Sequence, residues 1–198
     1  MLDMLRMITV LSSLCALSGF ALSYLKTATA PDIERQLLIN VQGPALARVF
    51  GAAENSPIEE RRKFSLDGRD VTVFPAIIGG RLAGVALEEH GKGYGGAIGV
   101  MVGFNVANDS LAGIGITTLK ETPGLGMRVS EPAFYEQFSG KRTPLSLAAN
   151  GGSIDAVSGA SISSQGVTEA VNLAAGVYSR LKAELLNAWP DEPQRKKP

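Results

Sequence analysis

The sequence predicts an α+β protein: a single N-terminal transmembrane helix, then a domain built on a twisted, mainly antiparallel sheet with packed helices. Three observations predict it. A charge-free apolar run lies between Arg6 and Lys26. Short β-prone runs separated by turn residues fill the middle of the chain. A long stretch with apolar residues at helical period closes it. The 198 residues suit one anchor plus one compact domain. The expected boundaries are 1–26 for the anchor, 27–188 for the domain and 189–198 for a flexible, polar, proline-rich tail.

The anchor is Met7 to Leu25, MITVLSSLCALSGFALSYL. Its ~19 residues rise roughly 28 Å as a helix, close to the thickness of a bilayer core. Ala28-Thr29-Ala30 resembles a signal-peptide cleavage site, but the run exceeds the ~7–15 residues of a signal core, so a retained single-pass anchor is expected. Asp3 offsets Arg6, and Lys26 follows the span, so charge alone barely orients it. A short N-terminal tail with the bulk of the chain translocated is the commoner arrangement. It puts the domain on the outer side of the membrane, which for a bacterial cytoplasmic membrane is the periplasmic or extracytoplasmic side. Ser12, Ser13, Ala16, Ser18 and Gly19 offer a small-residue face for helix packing, with a plain lipid-facing span as the alternative.

Beyond the anchor, Pro31 to Phe50 reads as helix, broken at Gly43-Pro44. Ser56 to Lys63 is polar and reads as a surface connection. Val71–Ile78 and Leu82–Glu89 are strands joined by the hairpin signal Gly79-Gly80. Ala97–Ala107 and Leu111–Leu119 form a second pair, joined by Asn108-Asp109-Ser110. Glu131–Phe138 is a short helix. In Ser163–Leu186, the residues Val167, Ala170, Val171, Ala174, Val177, Tyr178, Leu181 and Leu185 make one apolar stripe, which predicts an amphipathic helix packed on the sheet. The 23 glycines cluster between Gly79 and Gly126, as turns, bulges and close backbone approaches.

Composition excludes several functions. Nineteen basic and 19 acidic residues cancel, which argues against a nucleic-acid partner. One cysteine, Cys15, and one histidine, His90, leave no intrachain disulfide, no Cys/His metal site and no evident catalytic triad. Cys15 reads as a small hydrophobe within the anchor, and His90 as a surface residue.

The segment Asp155-Ala156-Val157-Ser158-Gly159-Ala160-Ser161-Ile162-Ser163-Ser164 is a small-residue turn running into a helix N-terminus. Its hydroxyls, free amides and helix dipole suit a phosphate without any Lys or Arg. Read from the residues alone, a plain N-cap by Ser161 or Ser163 is the competing account. Glu121-Thr122-Pro123-Gly124-Leu125-Gly126 predicts a rigid turn, with Pro123 fixing φ and the glycines free to turn. Gly91-Lys92-Gly93-Tyr94-Gly95-Gly96 is glycine-rich but lacks the Lys-Ser/Thr ending and βαβ setting of a nucleotide loop.

Together these segments resemble the FMN-binding domain shared by the RnfG subunit of Rnf electron-transport complexes and the NqrC subunit of sodium-pumping NADH:quinone reductases. The family's attachment motif, Asp-x-x-Ser/Thr-Gly-Ala-Thr/Ser, is filled by Asp155, Ser158, Gly159, Ala160 and Ser161. Lys92–Gly96, Val100–Gly103, Gly113-Ile114 and Glu121–Gly126 follow in the order and spacing of RnfG, the closer match. The resemblance spans almost the whole chain. It implies FMN held as a phosphoester on Ser161, where most members carry threonine. It implies a cofactor site of Lys92, Tyr94, Glu121, Thr122, Leu125, Gly126, Ser158, Gly159, Ala160, Ile162 and Ser163. It also implies a flavin transferase that takes the FMN from FAD and recognises Asp155. The implied role is an electron relay, with no catalytic residue or metal of its own. It would work among other Rnf subunits that couple ferredoxin/NAD electron transfer to sodium or proton movement. An FMN-carrying member of another respiratory reductase, such as a sodium-pumping NADH:quinone reductase, and a scaffold without flavin are the alternatives.

Overall fold

The computed structural model describes residues 1–51 and 53–189; the expected tail from 190 onward lies outside the described residues. The chain divides into two compact units, Met1–Asn40 and the chain from Val41. The first is the helix α1, Leu2–Leu37. Its stretch Leu2–Ala30 is long and apolar enough to cross a membrane once. The helix continues through Pro31, past the limit that the apolar run sets. A π-helical turn, Leu38–Gln42, follows, and α2 covers Gly43–Phe50 with Pro44 in its first turn, where a missing amide costs nothing. The predicted break at Gly43-Pro44 is therefore a helix start.

The second unit is a five-stranded antiparallel meander in the order β1-β2-β3-β4-β5. The strands are Arg62–Leu66, Arg69–Ile78, Arg81–Lys92, Ala97–Asn105 and Leu111–Thr118. Strand β1 is absent from the sequence expectation, which read its first residues as surface connection. It is a short edge strand whose Phe64 and Leu66 are half-buried in an otherwise exposed run. Asp67 and Gly68 at φ 53° and 79° close the β1–β2 hairpin. Asp-Gly is the favoured pair for such a turn, so the signal was present in the sequence. Gly79-Gly80 closes β2–β3 as predicted, with both φ values positive. Helix α3, Pro132–Tyr135, and the 3₁₀ turn Glu136–Phe138 realise the predicted short helix. The last helix, α4, runs from Ser161 to Ala188, starting two residues before the expected Ser163.

The two sheet faces are built differently. On one, Val73, Val85, Leu87, Val100, Val102 and Phe104 meet the apolar stripe of α4. Each such side chain contributes about 1.5–3 kcal/mol by leaving water. On the other, α2 lies almost directly on backbone. A methyl placed on Gly103 would sit 2.0 Å from Val49, and one on Gly115 would sit 2.8 Å from Ala45. Much of the glycine excess thus serves close packing.

Helix α4 is pinned near both ends. Towards its start, a methyl on Gly91 of β3 would lie 1.8 Å from the carbonyl oxygen of Gly166, so backbone touches backbone there. Towards its end, Tyr178 stacks on Phe104 at 4.5 Å and donates its hydroxyl to Asp109 at 2.7 Å. Lys182 reaches the same Asp109 oxygen at 2.6 Å. Trp189, the first residue of the expected tail, is buried against Phe64.

Two substitutions of the same kind should have opposite signs. Gly91→Ala should destabilise the domain by about 3 kcal/mol through overpacking. Gly176→Ala, in α4 with nothing within 4 Å, should stabilise it by ~0.5–1 kcal/mol. Thermal unfolding of the detergent-solubilised chain checks both. The hydrogen bonds from Lys182 and Tyr178 hold the Asp109 carboxyl below its ordinary range. Its contribution is therefore complete above the ordinary carboxylate pKa of about 4 and is lost as pH falls further. Asp109→Asn should flatten that acid-side loss in a series of melts against pH.

Candidate functional site

Three segments distant in sequence converge at the start of α4. The β3–β4 hairpin contributes Lys92–Gly96, where the Gly93 amide donates to the Gly96 carbonyl at 2.8 Å. The strand exit after β5 contributes Lys120–Gly126. The loop before α4 contributes Asp155–Ala160. Glu121, in the second, ties the hairpin to the first turn of α4. It is 8% exposed, and its Oε1 accepts the Gly95 amide at 2.9 Å while its Oε2 accepts the Ser163 hydroxyl at 2.7 Å. The surrounding backbone is fitted to this carboxylate. A methyl on Gly93 or Gly126 would stand within 2.6 Å of it.

The segment Thr122-Pro123-Gly124-Leu125 is the turn that its residues predict. Gly124 has φ 73°, and the Thr122 carbonyl accepts the amides of Leu125 and Met127, both at 3.2 Å. Leu125 is thereby laid against Gly159. That glycine has φ 78°, and any side chain on it would strike Leu125 at 2.8 Å. The two loops that the sequence marks separately are in contact.

Ser161 is the first residue of α4 and its side chain is exposed. The position before it, Ala160, has no side-chain acceptor, and among the described residues no side chain caps the helix start. The first intrahelical bond runs from the Ser164 amide to the Ala160 carbonyl at 3.0 Å. The amides of Ser161, Ile162 and Ser163 therefore precede the ladder and point out of the helix end. Ser163 does not cap them, because its hydroxyl is turned to Glu121. The plain N-cap account does not describe this helix. What remains is an exposed hydroxyl beside three free amides at the positive end of a 28-residue helix.

Of the expected site residues, Lys92, Thr122, Ser158 and Gly159 are exposed at the surface. Tyr94 at 75%, Ile162 at 53% and Leu125 at 42% are open to solvent. Glu121, Gly126, Ala160 and Ser163 are buried and form the layer beneath. Asp155 is exposed at the head of the acceptor loop. Sequence reasoning passed over Met127, 41% exposed on the same turn as Leu125. It also passed over Ser164, whose buried hydroxyl accepts the Val157 amide and donates to the Ala160 carbonyl, both at 3.0 Å. Nothing in the residue types alone separates Ser164 from its neighbours Ser161 and Ser163. Among the described residues no group of His, Cys, Asp and Glu could hold a metal ion.

This surface fits a flavin mononucleotide. The uncapped amides and the Ser161 hydroxyl suit its phosphate. The exposed apolar side chains of Leu125 and Ile162 suit a flat ring, and Gly159 leaves Leu125 room.

Residues 93–176 match the family described as FMN-binding domain. The chain is 31% identical over 157 residues to the G subunit of the ion-translocating oxidoreductase complex of Cereibacter sphaeroides, covering 74% of this chain and 71% of that one. It is 27% identical over 161 residues to the G subunit of the proton-translocating ferredoxin:NAD(+) oxidoreductase complex of Clostridium ljungdahlii, covering 79% and 82%. Its fold is similar to that of NqrC from Shewanella oneidensis, with TM-score 0.52 and 24% identity over 69% of this chain and 73% of that one.

Ser163→Ala removes one of the two donors to a buried carboxylate. It should cost about 1–3 kcal/mol, because the remaining oxygen is left without its partner. A lowered melting midpoint in the unmodified chain checks it. Ser161→Ala, on the exposed surface of the same turn, should leave stability within ~0.5 kcal/mol of wild type.

Proposed function

We propose that this chain, which belongs to the family of the G subunits of the Rnf ion-translocating oxidoreductase complexes and carries an FMN-binding domain, is an electron relay with FMN esterified to Ser161. The observation that carries this reading is the uncapped start of α4, where the exposed acceptor hydroxyl of Ser161 stands beside the Ser161, Ile162 and Ser163 amides that precede the helical ladder. When bound, the flavin supplies the electron chemistry. The chain's own residues fix where it sits. The amides of Ser161 to Ser163 would hold its phosphate at the positive end of the helix dipole. Leu125 and Ile162 would shield the ring from water, and Thr122 and Lys92 would offer it polar groups. Glu121 ties the hairpin to the first turn of α4 beneath. No general base or substrate cavity is required of a relay, since its reactants are electrons.

Serine in place of the usual threonine keeps the alcohol and drops the γ-methyl, which loosens χ1 but not the chemistry. The maturation step is assigned to a separate flavin transferase using FAD, with Asp155 as its recognition point. The complex would pass electrons between ferredoxin and NAD and couple them to sodium or proton movement, with the other subunits of the complex as partners. Helix α1 would be its single-pass anchor, with the domain on the extracytoplasmic side.

Mass spectrometry of the chain co-produced with a competent flavin transferase tests the attachment. The peptide containing Ser161 should gain one FMN less one water. Ser161→Ala should abolish the gain and Ser161→Thr should preserve it. Modification of Ser158, Ser163 or Ser164 instead, or no modification of wild type, would sink the assignment.

A further inference from the structure

Ser161 follows Asp155 closely in the chain, and the exposed loop between them would be floppy if nothing held it. It is held at both ends. At the start, the side-chain amide of Gln137 grips the backbone of Asp155 on both sides. Gln137 Oε1 accepts the Asp155 amide at 2.7 Å, and Gln137 Nε2 donates to the Asp155 carbonyl at 3.2 Å. The same Nε2 donates to the Ala133 carbonyl at 3.2 Å, which fixes the amide's own orientation. At the end, Ser164 bridges the Val157 amide and the Ala160 carbonyl. Gln137 is also firmly rooted. Its neighbour Phe138 is fully buried and packs edge-on against Phe134 at 5.6 Å.

Both backbone groups of Asp155 are thus satisfied by one side chain, while its carboxylate is left exposed. A primary amide suits this because it offers an acceptor and donors in one plane. A carboxylate would supply the acceptor only, and a thioether neither.

We propose that Gln137 is a positioning residue for flavin attachment: by clamping the backbone of Asp155 it presents the Asp155 carboxylate and the Ser161 hydroxyl to the flavin transferase as one preformed substrate. The inference rests on Ser161 being the acceptor. In the step it serves, Ser161 Oγ attacks the phosphorus on the flavin side of the FAD pyrophosphate. The Oγ–P bond forms and the bond from that phosphorus to the bridging oxygen breaks. AMP leaves with the bridging oxygen, and the hydroxyl proton is released. No electrons are exchanged. Without the clamp, the enzyme must order the loop itself, and that loss appears as weaker productive binding rather than slower chemistry.

The test is transferase kinetics on the full chain in detergent, with FAD as donor and the FMN mass on the Ser161 peptide as readout. Gln137→Met should raise the KM for the chain about tenfold while leaving kcat within about twofold, the equivalent of about 1.4 kcal/mol in binding. Gln137→Glu, which keeps the acceptor for the Asp155 amide, should fall between Gln137→Met and wild type. Hydrogen exchange of the unmodified chain should quicken at 155–157 in Gln137→Met and stay unchanged in the buried stripe of α4. A wild-type KM in Gln137→Met would overturn the proposal, and so would a KM rise accompanied by faster exchange throughout α4. Wild type left unmodified at Ser161 would instead remove the acceptor reading beneath it.

Discussion

The arrangement at the head of α4 depends on one buried carboxylate. Glu121 takes the Gly95 amide, 26 residues away in the chain, on one oxygen and the Ser163 hydroxyl, 42 residues away, on the other. Burying such a group without partners costs several kcal/mol, so the three segments are stable in this arrangement only together. Glu121 also explains why the residues packed around it lack side chains. Gly93 and Gly126 leave the volume that its carboxylate occupies. The exposed layer above, with Leu125, Ile162 and Ser161, inherits its geometry from that contact.

The sheet supplies the rigid base. Helix α4 is set down on β3 by the Gly91–Gly166 contact near its start and locked to the β4–β5 turn by Tyr178 and Lys182 on Asp109 near its end. Between them an apolar stripe, from Val167 to Leu185, fills one face of the sheet. A helix fastened at two places this far apart cannot tilt freely. Its exposed first turn therefore stays at a fixed height above the hairpin and the Thr122–Leu125 turn.

Most of the fold was legible in the residues, because its elements carry strong local signals. The four long strands, their Gly-Gly and Asn-Asp-Ser turns, the short helix near 131–138 and the stripe of α4 follow from pattern and turn chemistry. Strand β1 was hidden because it is an edge: Phe64 and Leu66 are only half-buried, so the alternation is weak, although Asp67-Gly68 marked the turn. The start of α4 was displaced by two residues because Ser161 and Ile162 face solvent and add nothing to an apolar period. At the site, the segments were readable from composition and from their order along the chain. Their contacts were not. That Ser163 serves Glu121 while Ser164 serves the loop backbone is decided by which way adjacent hydroxyls point on a helix. The grip of Gln137 on Asp155 likewise spans 18 residues with no pattern to announce it.

The close seat of α2 on bare backbone makes the two faces of one strand unequal in what they can accept. In β4, Val100 and Val102 face α4 through ordinary aliphatic packing, where an exchange of one hydrophobe for another of similar volume is tolerated. Gly103 belongs to the opposite face, and any methyl added there would stand 2.0 Å from Val49. Drift along the strand is thereby confined to alternate positions, and a lineage can remodel the core beneath α4 while the floor under α2 stays frozen.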